Sequence, residues 1–470
     1  MNESLQRAIA LKPRLRQVIY NEWISFGFFP CYASVQLQGD PTLNLSDLGN
    51  FLLSRSDLFV RLSTLLLWPF RLLQFVSKPN RNGVSFHIST SGKRVIRFHT
   101  FFTDFYFYST IRRMVQDQSL SQEEREKWEQ ILSEMVELAL KNQIVYEAEG
   151  EAFRVFQFFP KSELHCDALS AGTLFLRLSG LAQIDSDADD TFVLLEMFSD
   201  FLELLQADGL SNMPEEWRQS MVTSLSAILP LPYWKLVKYN QFRPNGEATP
   251  RLNYTSIEPL GGMSTWFVHE GKPEDTPDLV VNVNVLRSML VNRTHWGLFE
   301  SAEALETLQG IIAFLHHNVA SGLFRTDRGH SFYIAEFFCA MFARLWQVLI
   351  SLDPMERQQL DPEEKLAYIR TEVLSYLAQD LNPTFRTLNP LDAALALTSA
   401  IQLEQVDEVL ASQWVEIICD RFKDQPYPYC AYEIFKGKIP THMVYGSEAT
   451  TAALVYDAID ELDAYLSRVA

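Results

Sequence analysis

The sequence of 470 residues has few cysteines and no two of them close together. The five cysteines are an odd number, and no C-x-x-C pair occurs among them. A scattered set of this kind excludes a disulfide framework and a zinc ribbon, and it is typical of a reducing compartment. The first residues also lack the apolar stretch and small-residue cleavage site of a secretory signal. We therefore expect a cytoplasmic protein.

Positive charge is scarce as well. The chain has 40 lysine and arginine residues against 59 aspartate and glutamate residues, which gives a formal net charge of −19. Proteins that bind DNA or RNA depend on lysine and arginine to displace counterions from the phosphate backbone, and no basic stripe stands out here. The composition therefore argues against a nucleic-acid partner.

No apolar run is long enough to span a bilayer, which takes about 20 nearly unbroken apolar residues. The most apolar window is residues 59–76, and Arg61, Pro69 and Arg71 interrupt it. Two interpretations of this window stay open. It is either a buried pair of helices with a break at Pro69, or a surface that makes peripheral contact with a membrane.

Amphipathic helical periods occupy most of the chain. Apolar residues recur at the three- and four-residue intervals of one helix face in the segments 120–142, 302–319, 331–352, 362–379, 390–403, 404–422 and 447–469. Helices of this length joined by short loops pack on one another as a bundle, a solenoid or a closed ring of helical hairpins. The sequence therefore predicts an all-α fold.

Only two stretches, 83–98 and 145–159, have the composition and polar centre of β-hairpins. A division near residue 150 follows from these patterns. Residues 1–150 are predicted to form a mainly helical amino-terminal region with short hairpins, which packs on the helical ring or belongs to it. Residues 151–470 are predicted to form the ring itself.

The most informative segment is residues 185–192, with the sequence DSDADDTF. Its four closely spaced carboxylates repel one another, so the arrangement costs stability unless they are solvated, bind a cation or share protons. Three interpretations follow. In the simplest one, the aspartates cap the next helix and are favoured by its dipole.

A calcium loop is the second interpretation. Counted as an EF-hand, the segment places its ligand positions on Asp185, Asp187, Asp189, Thr191 and Glu196. The glycine that such a loop needs at its sixth position is replaced by Asp190, and its ninth position is apolar. The match is therefore incomplete.

A proton donor is the third interpretation. Carboxylates crowded in a buried place cannot all ionise, so one of them keeps its proton at neutral pH and can act as a general acid. The string Asp187-Ala188-Asp189-Asp190-Thr191 resembles the DxDD motif of class II terpene cyclases. The resemblance implies that Asp189 is the acid that protonates an alkene or epoxide, with Asp187 and Asp190 supporting it.

Two later segments resemble the same group of proteins. Residues 263–286 are similar to a stretch of cyclase-like and prenyltransferase-like α-toroid proteins, and residues 445–459 are similar to the helix that closes their ring. The resemblance implies an (α/α) barrel, also called an α-toroid. The chain departs from the family at Phe192, where alanine is usual, and its lack of a QxxDGSW repeat argues against a triterpene cyclase.

Aromatic residues make up 13% of the chain. An aromatic face stabilises a cation by roughly 0.5 to 2 kcal/mol, and aromatic side chains serve equally for plain core packing. Trp266, Phe267 and the run 98–108 are our candidates for contact with a substrate.

Polar candidates for the same site lie in the segment 278–284. Asn282, Asn284 and Asp278 could orient the acid or a substrate head group, and their alternative role is a helix cap or a satisfied buried amide. On a helix, Asn282 and Asn284 point about 200° apart, so only one of them need face a cavity.

These patterns predict a class II terpene cyclase, or a close relative, that cyclises a linear isoprenoid. Protonation needs no cofactor, and Mg²⁺ becomes a candidate only if the substrate is a diphosphate. The alternative is a non-catalytic α-toroid that binds a hydrophobic ligand or a protein partner. That alternative predicts a solvent-exposed acidic cluster, whereas the cyclase predicts that Asp187 and Asp189 are buried at the end of a large apolar cavity.

Overall fold

The computed structural model describes residues 2–26, 29–38, 77–80, 83–86, 89–90, 93–94, 97–99, 101–148, 150–156, 186–207, 209–210, 212–242, 257–267, 277–326, 329–330, 333–422, 430–433 and 441–469. Most of these residues are helical. The helices are α1 (Asn2–Ile9), α2 (Lys12–Phe26), α3 (Phe101–Gln116), α4 (Gln122–Lys141), α5 (Ala188–Gln206), α6 (Glu215–Ile228), α7 (Tyr233–Tyr239), α8 (Leu279–Val291), α9 (Arg293–Trp296), α10 (Ala302–Ala320), α11 (Ala335–Ser351), α12 (Pro354–Leu360), α13 (Lys365–Gln379), α14 (Pro390–Gln402), α15 (Glu408–Arg421) and α16 (Glu448–Val469).

Each of the predicted helical segments contains a helix, and capping residues determine where the helices begin. Helix α4 starts at a capping box, in which the Ser121 hydroxyl accepts a hydrogen bond from the Glu124 amide at 3.3 Å. Helix α14 starts with Asn389 as its cap and Pro390 in its first turn. The described chain is therefore mostly helical, as predicted, although it also contains strands.

Six apolar helices pack in cyclic order. Helix α3 contacts α5, α5 contacts α8, α8 contacts α11, α11 contacts α14, α14 contacts α16, and α16 contacts α3. Helices α5, α8 and α14 are buried on nearly all sides, which explains why their sequences are apolar throughout.

Amphipathic helices pack against the outside of this series. Helix α4 packs on α3, α6 on α5, α10 on α8, α13 on α11, α15 on α14, and α2 on α16. Each outer helix uses one apolar face, and its opposite face is exposed. The inner and outer helices alternate along the chain, so helices α2 and α3 from the first 150 residues pack together with helices of the remainder.

The strands are β1 (Pro30–Gln38), β2 (Ser77–Asn80), β3 (Gly83–Phe86), β4 (Ser89–Thr90), β5 (Lys93–Arg94), β6 (Arg97–His99), β7 (Ile144–Ala148), β8 (Glu151–Val155), β9 (Cys430–Glu433) and β10 (Thr441–Gly446). A six-stranded antiparallel sheet has the order β2-β3-β1-β10-β9, with β6 also paired to β1. In its centre Val35 of β1 lies opposite Met443 of β10. The sheet therefore joins the two ends of the chain.

The prediction that only two stretches form strands was wrong. Strands β7 and β8 form the hairpin expected within 145–159, and β4 pairs with β5 inside 83–98. Strands β1 and β10 were missed because they pair with each other across about 400 residues, and a local pattern carries little information about such pairing. Strand β9, which pairs with the nearby β10, was missed as well.

None of the described helices carries an apolar stretch of the length needed to cross a bilayer. The apolar window 59–76, for which a buried helix pair or a membrane-contacting surface was predicted, lies outside the described residues.

Candidate functional site

The acidic segment lies at the beginning of helix α5. Asp187 is its amino-terminal cap, and the Asp187 Oδ1 atom accepts a hydrogen bond from the Asp190 amide at 2.7 Å. Aspartate is favoured at this position because it satisfies an amide that has no partner within the helix. The capping role proposed from the sequence is therefore present, but for Asp187 alone.

Backbone hydrogen bonds fix this helix start against the segment 257–267. The Ala188 amide donates to the Thr265 carbonyl at 2.8 Å, and the Phe267 amide donates to the Ser186 carbonyl at 2.9 Å. Trp266 is thereby paired with Asp187 in a short antiparallel bridge. This pairing places Trp266 beside the acids through its backbone.

Asp189 lies one step into the helix and is held by side chains of two other segments. Its Oδ1 atom accepts a hydrogen bond from Asn284 Nδ2 at 2.9 Å, and its Oδ2 atom accepts one from the Tyr333 hydroxyl. Only 4% of the Asp189 surface is exposed. The carboxyl group is thus fixed in orientation and shielded from bulk water.

Burial controls the ionisation of this carboxyl group. Burial, followed by the nearby charge of Asp187, raises the pKa of Asp189 to about 8. The hydrogen bonds from Tyr333 and Asn284 act in the opposite direction, because they stabilise the carboxylate. Asp189 is therefore a neutral carboxylic acid near pH 7, and its conjugate base has two donors in place.

Asp187 and Asp190 form a second buried pair. Burial raises the pKa of Asp187 to about 7, and burial together with Asp187 raises the pKa of Asp190 well above its usual range. The interaction between the two carboxyl groups raises the pKa of Asp190 further and opposes the rise at Asp187. Within the described part of the chain, neither Asp190 oxygen accepts a hydrogen bond from an N–H donor.

Aromatic rings pack around Tyr333, the hydrogen-bond partner of Asp189. The Tyr333 ring stacks on Phe337 with centroids 5.4 Å apart, and it lies 5.0 Å from the Phe102 ring. Tyr106 contacts Phe102 at 4.9 Å and Phe337 at 5.2 Å, both edge-on. We call Phe102, Tyr106, Tyr333 and Phe337 the aromatic wall.

Asn284 and Asn282 point in different directions from helix α8, as the helical spacing predicts. Asn284 contacts the acid, whereas Asn282 Oδ1 accepts from the Met263 amide at 2.8 Å. Asn282 Nδ2 donates to the carbonyls of Met263 and Asp278 at 3.1 and 2.9 Å. Asn282 therefore anchors the segment 257–267, the role of a satisfied buried amide.

Asp278 and Phe267 also have structural contacts. Asp278 caps helix α8, and its Oδ1 atom accepts from the Val280 amide at 2.7 Å. Its charge contributes to the raised pKa of Asp189. Phe267 is buried and packs on Tyr146 with ring centroids 5.3 Å apart.

The bulky residue after the acidic motif also has a structural explanation. Phe192 is buried and lies edge-on against Tyr233 at 6.3 Å and Trp296 at 6.2 Å. It fills the space between α5 and the elements that carry Tyr233 and Trp296.

The calcium loop is contradicted by the helix. An EF-hand loop needs 12 residues of extended and turning backbone, but α5 is helical from Ala188 onward. Glu196, the twelfth-position ligand, forms an ion pair with Arg287 instead. Among the described residues, no three His, Cys, Asp or Glu side chains are arranged to hold a metal ion. Asp185 itself lies outside the described residues.

Two members of the aromatic wall, Phe102 and Tyr106, belong to the aromatic run 98–108 that the sequence singled out. Tyr333 and Phe337 were missed. Tyr333 lies just before α11, in a segment without a motif, so its approach to Asp189 across 144 residues depends on the packing of α5, α8 and α11.

Comparison with known proteins gives no family assignment. No protein-family model matches the chain, and no curated protein matches it in sequence.

Proposed function

We propose that the helices form an (α/α) barrel with α3, α5, α8, α11, α14 and α16 as the inner ring. The cyclic contacts among these six helices support the proposal, as does the outer helix packed on each of them. The alternation along the chain of inner helices with one or more outer helices is what a ring of helical hairpins requires.

The function that this site supports best is the protonation of a linear isoprenoid in the manner of a class II terpene cyclase, with Asp189 as the general acid. One observation carries the proposal: Asp189 is buried and neutral near pH 7, and two side chains hold its carboxyl group. A neutral, oriented carboxylic acid is the group needed to protonate an alkene.

The proton transfer uses groups already in place. The Asp189 O–H bond breaks, the proton adds to one alkene carbon, and the other alkene carbon becomes a cation. The hydroxyl of Tyr333 and the amide of Asn284 then stabilise the Asp189 carboxylate. Loss of a proton from the cyclised cation to a base ends the reaction, and Asp189 takes up a proton again.

The aromatic wall supplies the second requirement of this chemistry. A carbocation needs a dry surface with π faces and without a nucleophile, and each face contributes roughly 0.5 to 2 kcal/mol. Phe102 and Phe337 bring such faces close to Tyr333, whose hydroxyl touches the acid. Asp187 and Asp190 belong to the proposal as supports of the acid.

The remaining parts of the proposal concern the partner and the compartment. The partner is a hydrophobic isoprenoid, with Mg²⁺ required only if that molecule is a diphosphate. We place the protein in the cytoplasm, with peripheral access to a membrane as the source of a hydrophobic substrate.

Incubation of the purified protein with farnesyl diphosphate, geranylgeranyl diphosphate and longer polyprenyl substrates tests the function. The assay is run with and without Mg²⁺, and extracts are analysed by mass spectrometry. We expect a cyclic product from the parent protein and none from Asp189→Asn. Glu203→Gln, an exposed position on the same helix, is the matched control and should retain the product.

A cyclic product that persists in Asp189→Asn would contradict the proposed acid. If the parent gives no product from any substrate while both variants remain folded, the non-catalytic α-toroid that binds a hydrophobic ligand or protein partner becomes the better description.

A further inference from the structure

A second polar site lies toward the other end of the inner helices. A cavity of about 300 Å³ opens between the carboxyl-terminal parts of α3, α8, α11 and α14, and its polar lining includes Ser109, Arg113, Arg287, Arg344, Gln347 and Gln402. Asp189, by contrast, lies at the amino-terminal start of α5. We call this cavity the arginine pocket.

Two of its three arginines already have acidic partners. Arg113 is held by Asp457 at 3.8 Å, Asp460 at 3.5 Å and Glu461. Arg287 pairs with Glu196 through one nitrogen, while its Nε atom has no hydrogen-bond partner among the described residues.

Arg344 has fewer polar partners than the other two arginines. In the described part of the chain, no carboxylate lies within 4 Å of its guanidinium, and its one hydrogen bond runs from Nη2 to Ser109 Oγ at 3.4 Å. The guanidinium lies over the Phe105 ring at 4.8 Å. Burial, followed by the charge of Arg287, lowers the pKa of Arg344 to about 10. Arg344 is only partly buried, but a cation with so few polar partners is favoured by an accompanying anion.

We propose that the arginine pocket binds a small oxyanion of the phosphate class, held chiefly by Arg344 and by the unused donors of Arg287. A guanidinium offers five N–H donors in a planar fork that matches phosphate and sulfate oxygens. Gln347 and Gln402 also line the cavity, and each offers its second amide hydrogen, since the first already donates to the Gln402 carbonyl and to Glu461 respectively. The Arg344 guanidinium also lies 5.9 Å from the ring of Tyr106 in the aromatic wall. Anion binding does not require the acid at Asp189, however, so either proposal can fail without the other.

Carboxylates around the pocket set its pH dependence. Burial raises the pKa of Asp457 to about 6, against the attraction of Arg113 and Arg344. Asp460 and Glu461 on the same helix and Glu196 on α5 complete the acidic surroundings. Since protonation of Asp457 removes one repelling charge, we expect the anion to bind more tightly below pH 6 than at pH 8. Sulfate tests this because it stays dianionic throughout that range.

The experiment is a thermal-unfolding and calorimetric titration of the full chain with sulfate, inorganic phosphate, pyrophosphate and a small organic phosphomonoester. Chloride at matched ionic strength corrects for screening, which matters for a chain with a net charge of −19. Saturable stabilisation beyond chloride is expected. Stronger binding of the ester than of inorganic phosphate would identify a phosphorylated organic molecule as the ligand, and the reverse order would identify a free anion.

Two variants remove the site in different ways. Arg344→Met deletes the charge and leaves an apolar side chain over Phe105, and Ser351→Glu adds a carboxylate at the exposed rim of the pocket. Each should weaken sulfate binding about tenfold or more. Arg344→Met removes charge-assisted hydrogen bonds to the anion, and Ser351→Glu adds a negative charge that repels it. Arg468→Gln removes the same charge from an exposed position and should bind sulfate like the parent. The proposal is overturned if the parent shows no effect beyond chloride, or if both pocket variants bind as the parent does.

Discussion

Asp190 shows what a single buried carboxyl group costs the protein. Its side chain is fully buried, and within the described chain its oxygens accept no hydrogen bond from an N–H donor. The native state therefore keeps a proton on Asp190 that the unfolded chain releases above pH 4 or so. The stability of the parent should fall as the pH rises from about 4 toward the raised pKa of this group.

Asp190→Asn should therefore stabilise the protein at pH 8. Asparagine is neutral without taking up a proton, and its amide can donate to Asp187, so we expect a gain of about 1 to 3 kcal/mol in the free energy of unfolding. The gain should shrink as the pH approaches 4. Urea denaturation at several pH values measures it, with Glu203→Gln as the control. A gain independent of pH would show that Asp190 is ionised in the native state.

Tyr333→Phe should weaken Asp189 as an acid. Loss of the hydroxyl removes one donor from the carboxylate, so the pKa of Asp189 should rise from about 8 by roughly one unit. The infrared absorption of the neutral carboxyl group, taken as the difference between each protein and its Asp189→Asn counterpart, reports this pKa.

Tyr233→Phe is the control for that measurement, because the Tyr233 hydroxyl donates to the Arg154 carbonyl and not to an acid. An unchanged titration in Tyr333→Phe would mean that the Tyr333 hydroxyl does not stabilise the ionised form.

Helix α8 shows how one element serves two purposes. Its opposite sides carry Asn284, which contacts Asp189, and Asn282, which anchors the segment 257–267. Gly261 in that segment has a positive φ of 85°, and a Cβ atom there would lie 2.4 Å from the Gly310 carbonyl oxygen. The segment thus passes close to α10, and a residue other than glycine would strain it.

Asn282→Ala and Asn284→Ala should have different effects. Asn282→Ala leaves the buried amide and carbonyl of Met263 without the side chain that pairs with them, so the free energy of unfolding should fall by about 2 to 4 kcal/mol. Asn284→Ala should cost less stability and instead raise the pKa of Asp189. Chemical denaturation and the infrared titration separate the two. Equal losses of stability in the two variants would contradict the conclusion that Asn282 anchors the segment 257–267 while Asn284 serves the acid.

At the scale of elements, the sequence was informative where a signal is local. The α4 capping box and the Asn389-Pro390 start of α14 can be read directly from neighbouring residues. Strands β1 and β10 could not be predicted, because their partners Val35 and Met443 are about 400 residues apart in the sequence. Asp189 was found through its motif, whereas Tyr333 has no local feature that marks it.

The cyclic series of inner helices makes the whole molecule depend on both ends of its chain. Helix α3 contacts both α5 and α16, and α2 packs on α16. The predicted boundary near residue 150 therefore separates helices that contact one another, and the sheet adds a second link through β1 and β10.

A fragment of residues 151–470 should not fold as a cooperative unit. Without α3, the apolar sides of α5 and α16 that it covers would be exposed. We expect a broad, weakly cooperative urea transition for the fragment, monitored by tryptophan fluorescence, and recovery of a sharp transition on co-expression with residues 1–150. A sharp transition in the fragment alone would show that the two regions are independent domains.

The meeting of several helix starts has an electrical consequence. Asp189 lies in the first turn of α5 and Phe102 in the first turn of α3, while the partners of Asp189 are Tyr333, just before α11, and Asn284, in the second turn of α8. Each helix start carries roughly half a positive elementary charge. Together they create a positive electrostatic potential at Asp189. This potential stabilises the carboxylate that remains when Asp189 gives up its proton, and it repels positive charge created beside it. Within the proposed reaction, the cation would therefore be driven away from the acid along the chain, which gives the cyclisation a direction.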